Sequence, residues 1–429
     1  MAAHNVFMNF ASGSPAACAS EEKRRMAAVI LAGFCAFLGL YAPQPMLPEL
    51  AAHFGRTPGE ISQLISISTI AVALVAPFIG TLSDRWGRKR LIVLSALLLA
   101  APTALAATST SLFQLLVWRF LVGVFTPGVF ALTVTYINEE WPTGAGSAMA
   151  YYVGGTVSGG FVGRTLAAFI ADYGDWHTTF LALGLCNLVG ALLIWALLPV
   201  ERHHVKSSGS IPQAMLGHLR NTSLLATCAA GFCVLFALLG VFTYVNFRLA
   251  GAPFCMRPAA LGRIFVVYLV SVALSPVSGR IIDRLGQRTT FALSMLVAML
   301  GVLLTLAPSM IAILVGLALF CTGIFVGQSS ASSYIGVATQ QSKAAAVGLY
   351  VMAYYLGGSF GAAVPGIFWN RFGWTGCVLL IAAVQILTAL NALLFWKDKP
   401  QPEAELQQRK PLRYRLEYGV FALTFELRR

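Results

Sequence analysis

Two arginines lie inside long apolar stretches of this chain. Arg119 lies in the stretch 112–136, and Arg164 lies in the stretch 147–171. An arginine at the centre of a bilayer costs about 3 kcal/mol on insertion scales, so each is a candidate functional residue. A guanidinium can bind an anion such as a carboxylate, or take part in proton coupling. If both face one cavity, that cavity is positive and favours an anionic solute over a cationic one.

Each arginine also has a structural alternative. Arg119 lies about seven residues from one end of its stretch, so its side chain could reach the membrane interface. Leu319 stands at the matching position later in the chain, so this arginine is not a repeated feature. Arg164 follows glycines at about four-residue spacing, which is typical of close helix packing. They are Gly155, Gly159, Gly160 and Gly163.

Groups that titrate near neutral pH are harder to place. No Asp or Glu lies well inside an apolar stretch, and no His lies at the centre of one. The remaining candidates for proton coupling lie near stretch ends: Asp84, Glu139, Glu140, Asp172, Asp175 and His177. Aromatic and amide side chains that could line a cavity, or simply pack, are Tyr151, Tyr152, Tyr244, Asn246, Gln328, Tyr354 and Tyr355.

The elements that position these residues are predicted to be membrane helices. Of the 429 residues, 58% are hydrophobic and 10% are charged, whereas soluble proteins have about 25% charged residues. A spanning helix needs about 20 mainly apolar residues. We find twelve such stretches, at about 26–47, 60–82, 91–107, 112–136, 147–171, 177–198, 223–246, 260–280, 289–308, 311–334, 344–368 and 374–396. The sequence therefore predicts an all-α membrane protein with twelve transmembrane helices.

The net charge of +13 is concentrated between these stretches. Cations cluster at 23–25, 85–90, 202–220 and 284–288 and in the C-terminal tail, on one side of the predicted membrane. Positive loops stay in the cytoplasm, so both termini are predicted to be cytoplasmic. The loop that carries Glu139 and Glu140 has no cation and does not fit this pattern. No polar domain exists to carry a nucleic-acid site, so nucleic acid is excluded as a partner.

An internal repeat divides the chain. The segment 80–90 recurs as the segment 279–288, and residues 149–155 recur as 352–358. The first copy presents Gly80, Asp84, Arg85, Gly87, Arg88 and Arg90. The second copy presents Gly279, Asp283, Arg284, Gly286 and Arg288. Repeats of this kind place the substrate site between two six-helix halves, near the bilayer midplane.

The predicted organisation follows from the repeat. Residues 1–25 form a cytoplasmic tail, 26–198 the first bundle, 199–222 a central cytoplasmic loop, 223–396 the second bundle and 397–429 a C-terminal tail. Within the central loop, apolar residues recur at helical spacing from Ile211 to Leu219. This pattern fits either a short amphipathic helix on the membrane or a flexible linker.

The two motif copies, each after an apolar stretch, resemble the loop signature of the major facilitator superfamily, and the resemblance covers about residues 25–396. The opening Leu40–Pro48 and the Gly-Asp-Trp sequence ending at Trp176 are similar to bacterial efflux branches, including arabinose-efflux-like permeases and an acriflavine-sensitivity subfamily. The resemblance implies the major facilitator fold and a secondary transporter of the inner membrane.

For the motif residues, the resemblance implies an inner gate. In the family this cluster holds the halves together on the cytoplasmic side and separates as the protein opens inward. Gly80 and Gly87 would permit close helix approach and a tight turn. Asp84 would face the positive end of a helix in the other half, and the arginines would hold Asp84 and lipid headgroups. The alternative is that these cations only set topology.

Two further signatures bear on function. Arg119 matches a family arginine that serves proton coupling or substrate charge. The glycines before Arg164 resemble the antiporter signature, but its Gly-Pro is Gly159-Gly160 here, and a later Gly-Gly is Gly163-Arg164. The antiporter assignment therefore rests on the family rather than on these residues.

The sequence favours a monomeric carrier that exports a small organic solute, anionic if both arginines face the cavity, with protons as a coupled ion. An uptake symporter of the same fold is the first alternative, and a membrane sensor without transport is the second. No nucleotide-binding loop or metal-ligand spacing is present, so no cofactor is expected. The spans hold no cluster of His, Cys, Asp or Glu, which argues against an enzyme.

Overall fold

The computed structural model describes residues 15–141, 144–201, 211–339 and 342–397. These residues contain twelve helices of at least 18 residues and no strand. The helices are α1 (Pro15–Leu38), α2 (Gln63–Trp86), α3 (Arg88–Leu105), α4 (Leu112–Glu140), α5 (Ala145–Tyr173), α6 (Trp176–Leu197), α7 (Thr222–Ala250), α8 (Val267–Leu285), α9 (Gln287–Leu304), α10 (Met310–Ala338), α11 (Lys343–Ala363) and α12 (Pro365–Phe395).

Shorter helices lie between the long ones. They are Gln44–Met46, Leu47–Phe54, Pro58–Ile61, Ala106–Thr108, Ile211–His218, Pro258–Arg263 and Ile264–Val266. By length and composition, nine helices of the described residues can cross a membrane. The other three long helices are α1, α5 and α8, and they pack beside the nine. Charges at the start of α1 and the glycine-rich sequence of α5 explain why these two are less apolar than the rest.

Local sequence accounts for where the helices begin and end. Gly87 has φ +86° and Gly286 has φ +77°, and each separates two helices. This left-handed conformation favours glycine, which explains the glycine in each motif copy. The side chain of Asp175 accepts a hydrogen bond from the Thr178 N–H and caps α6, and Asn221 caps α7 in the same way.

Several helix boundaries differ from the prediction, and those of α1 differ most. Helix α1 begins at Pro15 rather than near residue 26, so part of the predicted tail 1–25 is helical. It ends at Leu38 rather than near residue 47, because Pro43, Pro45 and Pro48 cannot continue it. Near the other end of the chain, α12 contains Gly373 at φ +59°, a non-helical residue at the predicted break between the last two spans.

The central loop contains a short helix. Ile211–His218 is helical, so a flexible linker is the wrong interpretation for these residues. Met215 is buried, whereas Leu216 and Leu219 are exposed. The His218 ring lies 3.3 Å from the Ser342 carbonyl, which places this helix at the start of α11. Residues 202–210 and the C-terminal tail from residue 398 lie outside the described residues.

The two halves repeat the same helix pairs. Helix α1 packs on α5 and α7 packs on α11, while α2 packs on α4 and α8 packs on α10. The pairs α3–α4 and α3–α6 likewise correspond to α9–α10 and α9–α12. Among the long helices, α2 and α11 form the most extensive contact between the two halves. We call the end near Gly87 and Gly286 the motif end, and the end that holds residues 39–57 and 251–266 the far end.

Glycines set the closest approach within each half. A Cβ on Gly155, Gly159 or Gly163 would lie 1.9–2.3 Å from a carbonyl oxygen of α1. Three of the four glycines predicted for helix packing therefore do pack in this structure. A Cβ on Gly160 would instead lie 3.2 Å from the Arg164 side chain. In the second half, Gly357 makes the same close contact with α7.

Candidate substrate cavity and its gates

A cavity of about 360 Å³ lies between the halves. Residues from α1, α5, α7, α8, α10 and α11 line it, so both halves contribute. It extends from Arg164 and Tyr268 towards Val153 and Ser278, which lie in the motif-end parts of α5 and α8. Most of its lining is apolar. Within the described part of the chain, Arg164 is the only charged residue that lines this cavity.

The far end of this cavity is closed by contacts between the halves. The Gln44 amide donates to Thr243 Oγ1 at 3.4 Å, and the Ser66 and Ser359 hydroxyls are 2.8 Å apart. Asp172 and Arg257 form an ion pair at 3.6 Å. These contacts join the first half to the second at the far end, while the cavity continues towards the motif end.

Arg164 lies at the closed end of the cavity and is only 4% exposed. Its Nε donates to Gln44 Oε1, and its Nη1 donates to the Gly160 carbonyl, both at 2.7 Å. The guanidinium lies 5.0–5.1 Å from the ring centres of Tyr41, Phe265 and Tyr268. Two of these rings belong to the second half. Arg164 is thus both a cavity-lining cation and part of the far-end closure.

Arg119 points elsewhere. Its guanidinium donates to the carbonyls of Gly39, Leu40 and Leu64, with the Gly39 contact at 2.9 Å. It is 1% exposed and does not line the cavity. The condition that both arginines face one cavity is therefore not met in this structure, because only Arg164 lines it. The Gly39 and Leu40 carbonyls are freed where the prolines stop α1, and Leu64 lies in α2, so Arg119 connects α4 to α2 and to the segment after α1.

The predicted aromatic and amide residues divide into two groups. Gln328, Tyr354 and Tyr355 line the cavity. The others do not line it: Tyr151 is 57% exposed, and Tyr152, Tyr244 and Asn246 are buried in helix contacts. The Tyr152 hydroxyl donates to the Phe130 carbonyl at 3.0 Å. The Tyr244 hydroxyl bonds Ser62 and the Ala362 carbonyl, so this residue belongs to the far-end closure.

The first motif copy forms a polar cluster. Arg88, 3% exposed, lies 2.8 Å from Asp84 Oδ1 and binds both carboxylate oxygens of Glu139. Glu201 accepts from the backbone N–H groups of Arg88 and Lys89 and caps α3. Glu140 lies 3.6 Å from Arg25. These pairs explain the two glutamates that did not fit the charge pattern, because each one neutralises an arginine of another helix.

The second motif copy has a different sequence at the centre of this cluster. Gln287 stands where Arg88 stands in the first copy. Asp283 and Arg284 are exposed, as are Arg85 and Arg90 of the first copy, and Arg288 donates to the Leu393 carbonyl. The two copies therefore share their backbone turn, but Gln287 cannot form the ion pairs that Arg88 forms.

Two predictions about the motif residues need correction. A Cβ on Gly80 or Gly279 would have no neighbour within 4 Å, so these glycines do not permit a close helix contact here. The contact of Asp84 is with Arg88 of its own half rather than with a helix of the other half. In this structure, where the far end is closed, the ion pairs of the motif cluster connect helices of the first half to one another.

At the far end, carboxyl groups outside the spans have shifted pKa values. Burial raises the pKa of Glu49, and the charges of Asp175 and Asp172 raise it further. The pKa of Asp175 is lowered by the hydrogen bond from the Thr178 N–H. Glu49 Oε2 is buried and has no hydrogen-bond partner among the described residues. Glu49 is therefore the carboxyl group here that most readily holds a proton.

Sequence reasoning missed several residues in and around the site. Gln44, Tyr41 and Tyr268 all lie next to Arg164. Tyrosines near the ends of membrane helices are common, so there was no reason in the sequence to single out these two. Gln44 offered a weak signal, because it is a polar amide between two prolines. Glu49 was missed because it lies just beyond a predicted span.

A comparison with known families decides the identity of the fold. The Major Facilitator Superfamily model matches residues 29–252 and 246–425. The chain belongs to the Major Facilitator Superfamily. The MFS-type transporter YybF of Bacillus subtilis is 32% identical over 85% of this chain and 91% of its own. The inner membrane transport protein YnfM of Escherichia coli is 34% identical over 85% and 88%.

Solved structures share this superfamily fold. The nucleoside transporter NupG superposes with a TM-score of 0.72 at 14% identity, over 87% of this chain and all of its own. The human organic anion transporter MFSD10 gives a TM-score of 0.67 at 19% identity, over 86% and 99%. The protein is thus a multi-pass membrane transporter of the superfamily and not an enzyme. The central cavity is its candidate substrate site.

Proposed function

We propose that this protein is a monomeric secondary transporter that carries a small organic anion across the bacterial inner membrane by alternating access. The observation that carries the proposal is Arg164, a buried cation in an otherwise mainly apolar cavity between the halves. A buried guanidinium is stabilised by an anionic partner, and a cationic solute would meet repulsion there. The solved organic anion transporter of the same fold is consistent with this substrate class.

We further propose that both termini are cytoplasmic, as the distribution of Lys and Arg supports. The motif end then faces the cytoplasm, and this structure corresponds to an inward-facing state with its outer end closed. The first motif copy would act as the inner gate. In this state its ion pairs lie within the first half, and closure of the inner end would bring it against the second half.

The proposed direction is efflux driven by protons, which the family resemblance supports. No carboxylate or histidine lines the cavity among the described residues. Glu49, beside Asp172 and Asp175 at the far end, is the proposed proton-binding group, because its raised pKa favours the protonated form while the far end is closed. An uptake symporter of the same fold would use the same parts with the opposite net direction.

The experiment that tests this proposal is solute flux in inverted membrane vesicles with an imposed pH gradient. Carboxylates, neutral sugars and cationic dyes are compared in vesicles with and without the protein. We expect uptake of a carboxylate into inverted vesicles that depends on the gradient, together with proton movement driven by that solute. Transport of cationic dyes alone would contradict the proposal that the substrate is an anion. Carboxylate movement out of the vesicles would indicate the symporter.

A further inference from the structure

One buried hydroxyl near Arg164 has no partner. Tyr268 is 7% exposed, and its ring packs against Phe242 at 4.7 Å and Phe325 at 5.8 Å between ring centres. Its hydroxyl makes no hydrogen bond with any described residue. A buried donor without a partner costs about 1–3 kcal/mol. A ligand that enters the cavity and accepts a hydrogen bond from this hydroxyl would remove that cost.

Arg164 has an unused donor at the same place. Its Nε and Nη1 have acceptors, whereas no described residue provides an acceptor for Nη2. The guanidinium carbon lies 5.1 Å from the Tyr268 ring centre, and both residues line the cavity. Arg164 belongs to the first half and Tyr268 to the second. Two neighbouring side chains at the closed end, one from each half, thus each carry an unpaired donor.

We propose that the Tyr268 hydroxyl is a second ligand of the transported anion. The proposal rests on the proposed function, in which Arg164 binds that anion. A carboxylate has two oxygens on one carbon, so one oxygen accepts from Arg164 Nη2 while the other accepts from the Tyr268 hydroxyl. Both unpaired donors are then satisfied. A bound carboxylate in this position bridges the two halves.

The rest of the cavity defines the substrate class. The wall around the two donors is apolar and includes Phe161, Leu238 and Phe325. With one cationic side chain in the described lining, the cavity balances one negative charge, and a second carboxylate would be desolvated without a partner. The inferred substrate is an apolar monocarboxylate.

Bridging has a conformational consequence. The far end is closed by contacts between the halves, and Arg164 already touches rings of the second half. A carboxylate held by Arg164 and Tyr268 adds a further link at this closure. Substrate binding therefore favours the far-end-closed state, and opening of the far end breaks this link and releases the substrate on that side.

The test is calorimetric binding of 2-naphthoate to the purified full-length protein. Tyr268→Phe keeps the ring and removes only the hydroxyl. We expect about tenfold weaker binding of 2-naphthoate, the usual effect of losing one hydrogen bond to a charged group. We also expect an unchanged or higher melting temperature, because an unpaired donor has been removed. Naphthalene-2,6-dicarboxylate should bind the wild type more weakly than 2-naphthoate does.

Tyr136→Phe is the matched control. The Tyr136 hydroxyl donates to the Pro199 carbonyl at 3.1 Å, away from the cavity, so this variant should bind 2-naphthoate like the wild type. If Arg164→Gln weakens binding but Tyr268→Phe does not, the bridging role is overturned and the anion function stands. If the wild type binds neither carboxylate, both proposals fail. A Tyr268→Phe protein that melts at a lower temperature would show a structural hydroxyl and overturn the inference.

Discussion

At the scale of single residues, the two intramembrane arginines show what sequence can and cannot predict. Both were singled out from sequence as charges inside apolar stretches, and both are buried in the structure. Sequence could not say where each guanidinium points, because that depends on the irregular backbone after α1. Each guanidinium nitrogen of Arg119 donates to a backbone carbonyl, of Leu64, Gly39 or Leu40. Arg164 donates from Nε and Nη1 to protein acceptors, and its Nη2 remains available to a ligand in the cavity.

The role of Arg119 gives a stability prediction. Arg119→Gln removes the donors that these buried carbonyls use, and we expect a loss of about 1–3 kcal/mol in unfolding free energy. The measurement is the thermal melting temperature in detergent, with Arg371→Gln, an exposed arginine at the far end, as the control. A variant that melts like the wild type but has lost transport would contradict this structural role and restore the coupling role.

At the scale of elements, the apolar pattern predicted the helices well and the irregular segments poorly. The stretches around 112–136 and 289–308 match α4 and α9 to within a few residues. The early end of α1 was missed because its prolines lie within an otherwise apolar run. The glycine face of α5 was predicted from spacing alone, since four-residue spacing places these glycines on one side of a helix. Contacts between distant helices, such as Glu139 with Arg88, carry no such local signal.

The glycine face of α5 can be tested directly. A Cβ on Gly159 would lie 2.1 Å from the Phe34 carbonyl oxygen, so Gly159→Ala forces α1 and α5 apart. We expect a loss of about 1–3 kcal/mol, the usual effect of overpacking. Gly154→Ala on the same helix is the control, because a Cβ there has no neighbour within 4 Å. Equal melting temperatures for the two variants would refute the packing role.

The motif copies make a second prediction at this scale. Asp84→Asn removes an ion-pair partner of the buried Arg88, whereas Asp283→Asn changes an exposed residue of the second copy. We expect the first variant to slow flux about tenfold, equivalent to about 1.4 kcal/mol, and the second to have little effect. The readouts are flux and the populations of inward- and outward-facing states. Unchanged values for Asp84→Asn would exclude an inner-gate role.

At the scale of the whole molecule, two similar halves carry different chemistry. The same helix pairs recur in each half, yet the charged cluster at the motif end and the cavity arginine both belong to the first half. The second half provides aromatic rings and the Tyr268 hydroxyl. In the proposed function, this asymmetry places the charge that binds the solute on one half and the aromatic rings around it on the other. Alternating access then requires the contacts around Arg164 to form and break in each cycle.

The measurement that tests this account most directly is uptake of radiolabelled 2-naphthoate into proteoliposomes. Wild type, Arg164→Gln and the exposed control Arg371→Gln are compared at equal protein density. Loss of a charge-assisted hydrogen bond predicts about 10- to 100-fold weaker apparent affinity for Arg164→Gln, with the control unchanged. Saturable uptake with wild-type affinity in the Arg164→Gln protein would contradict the claim that this cavity binds its substrate through Arg164.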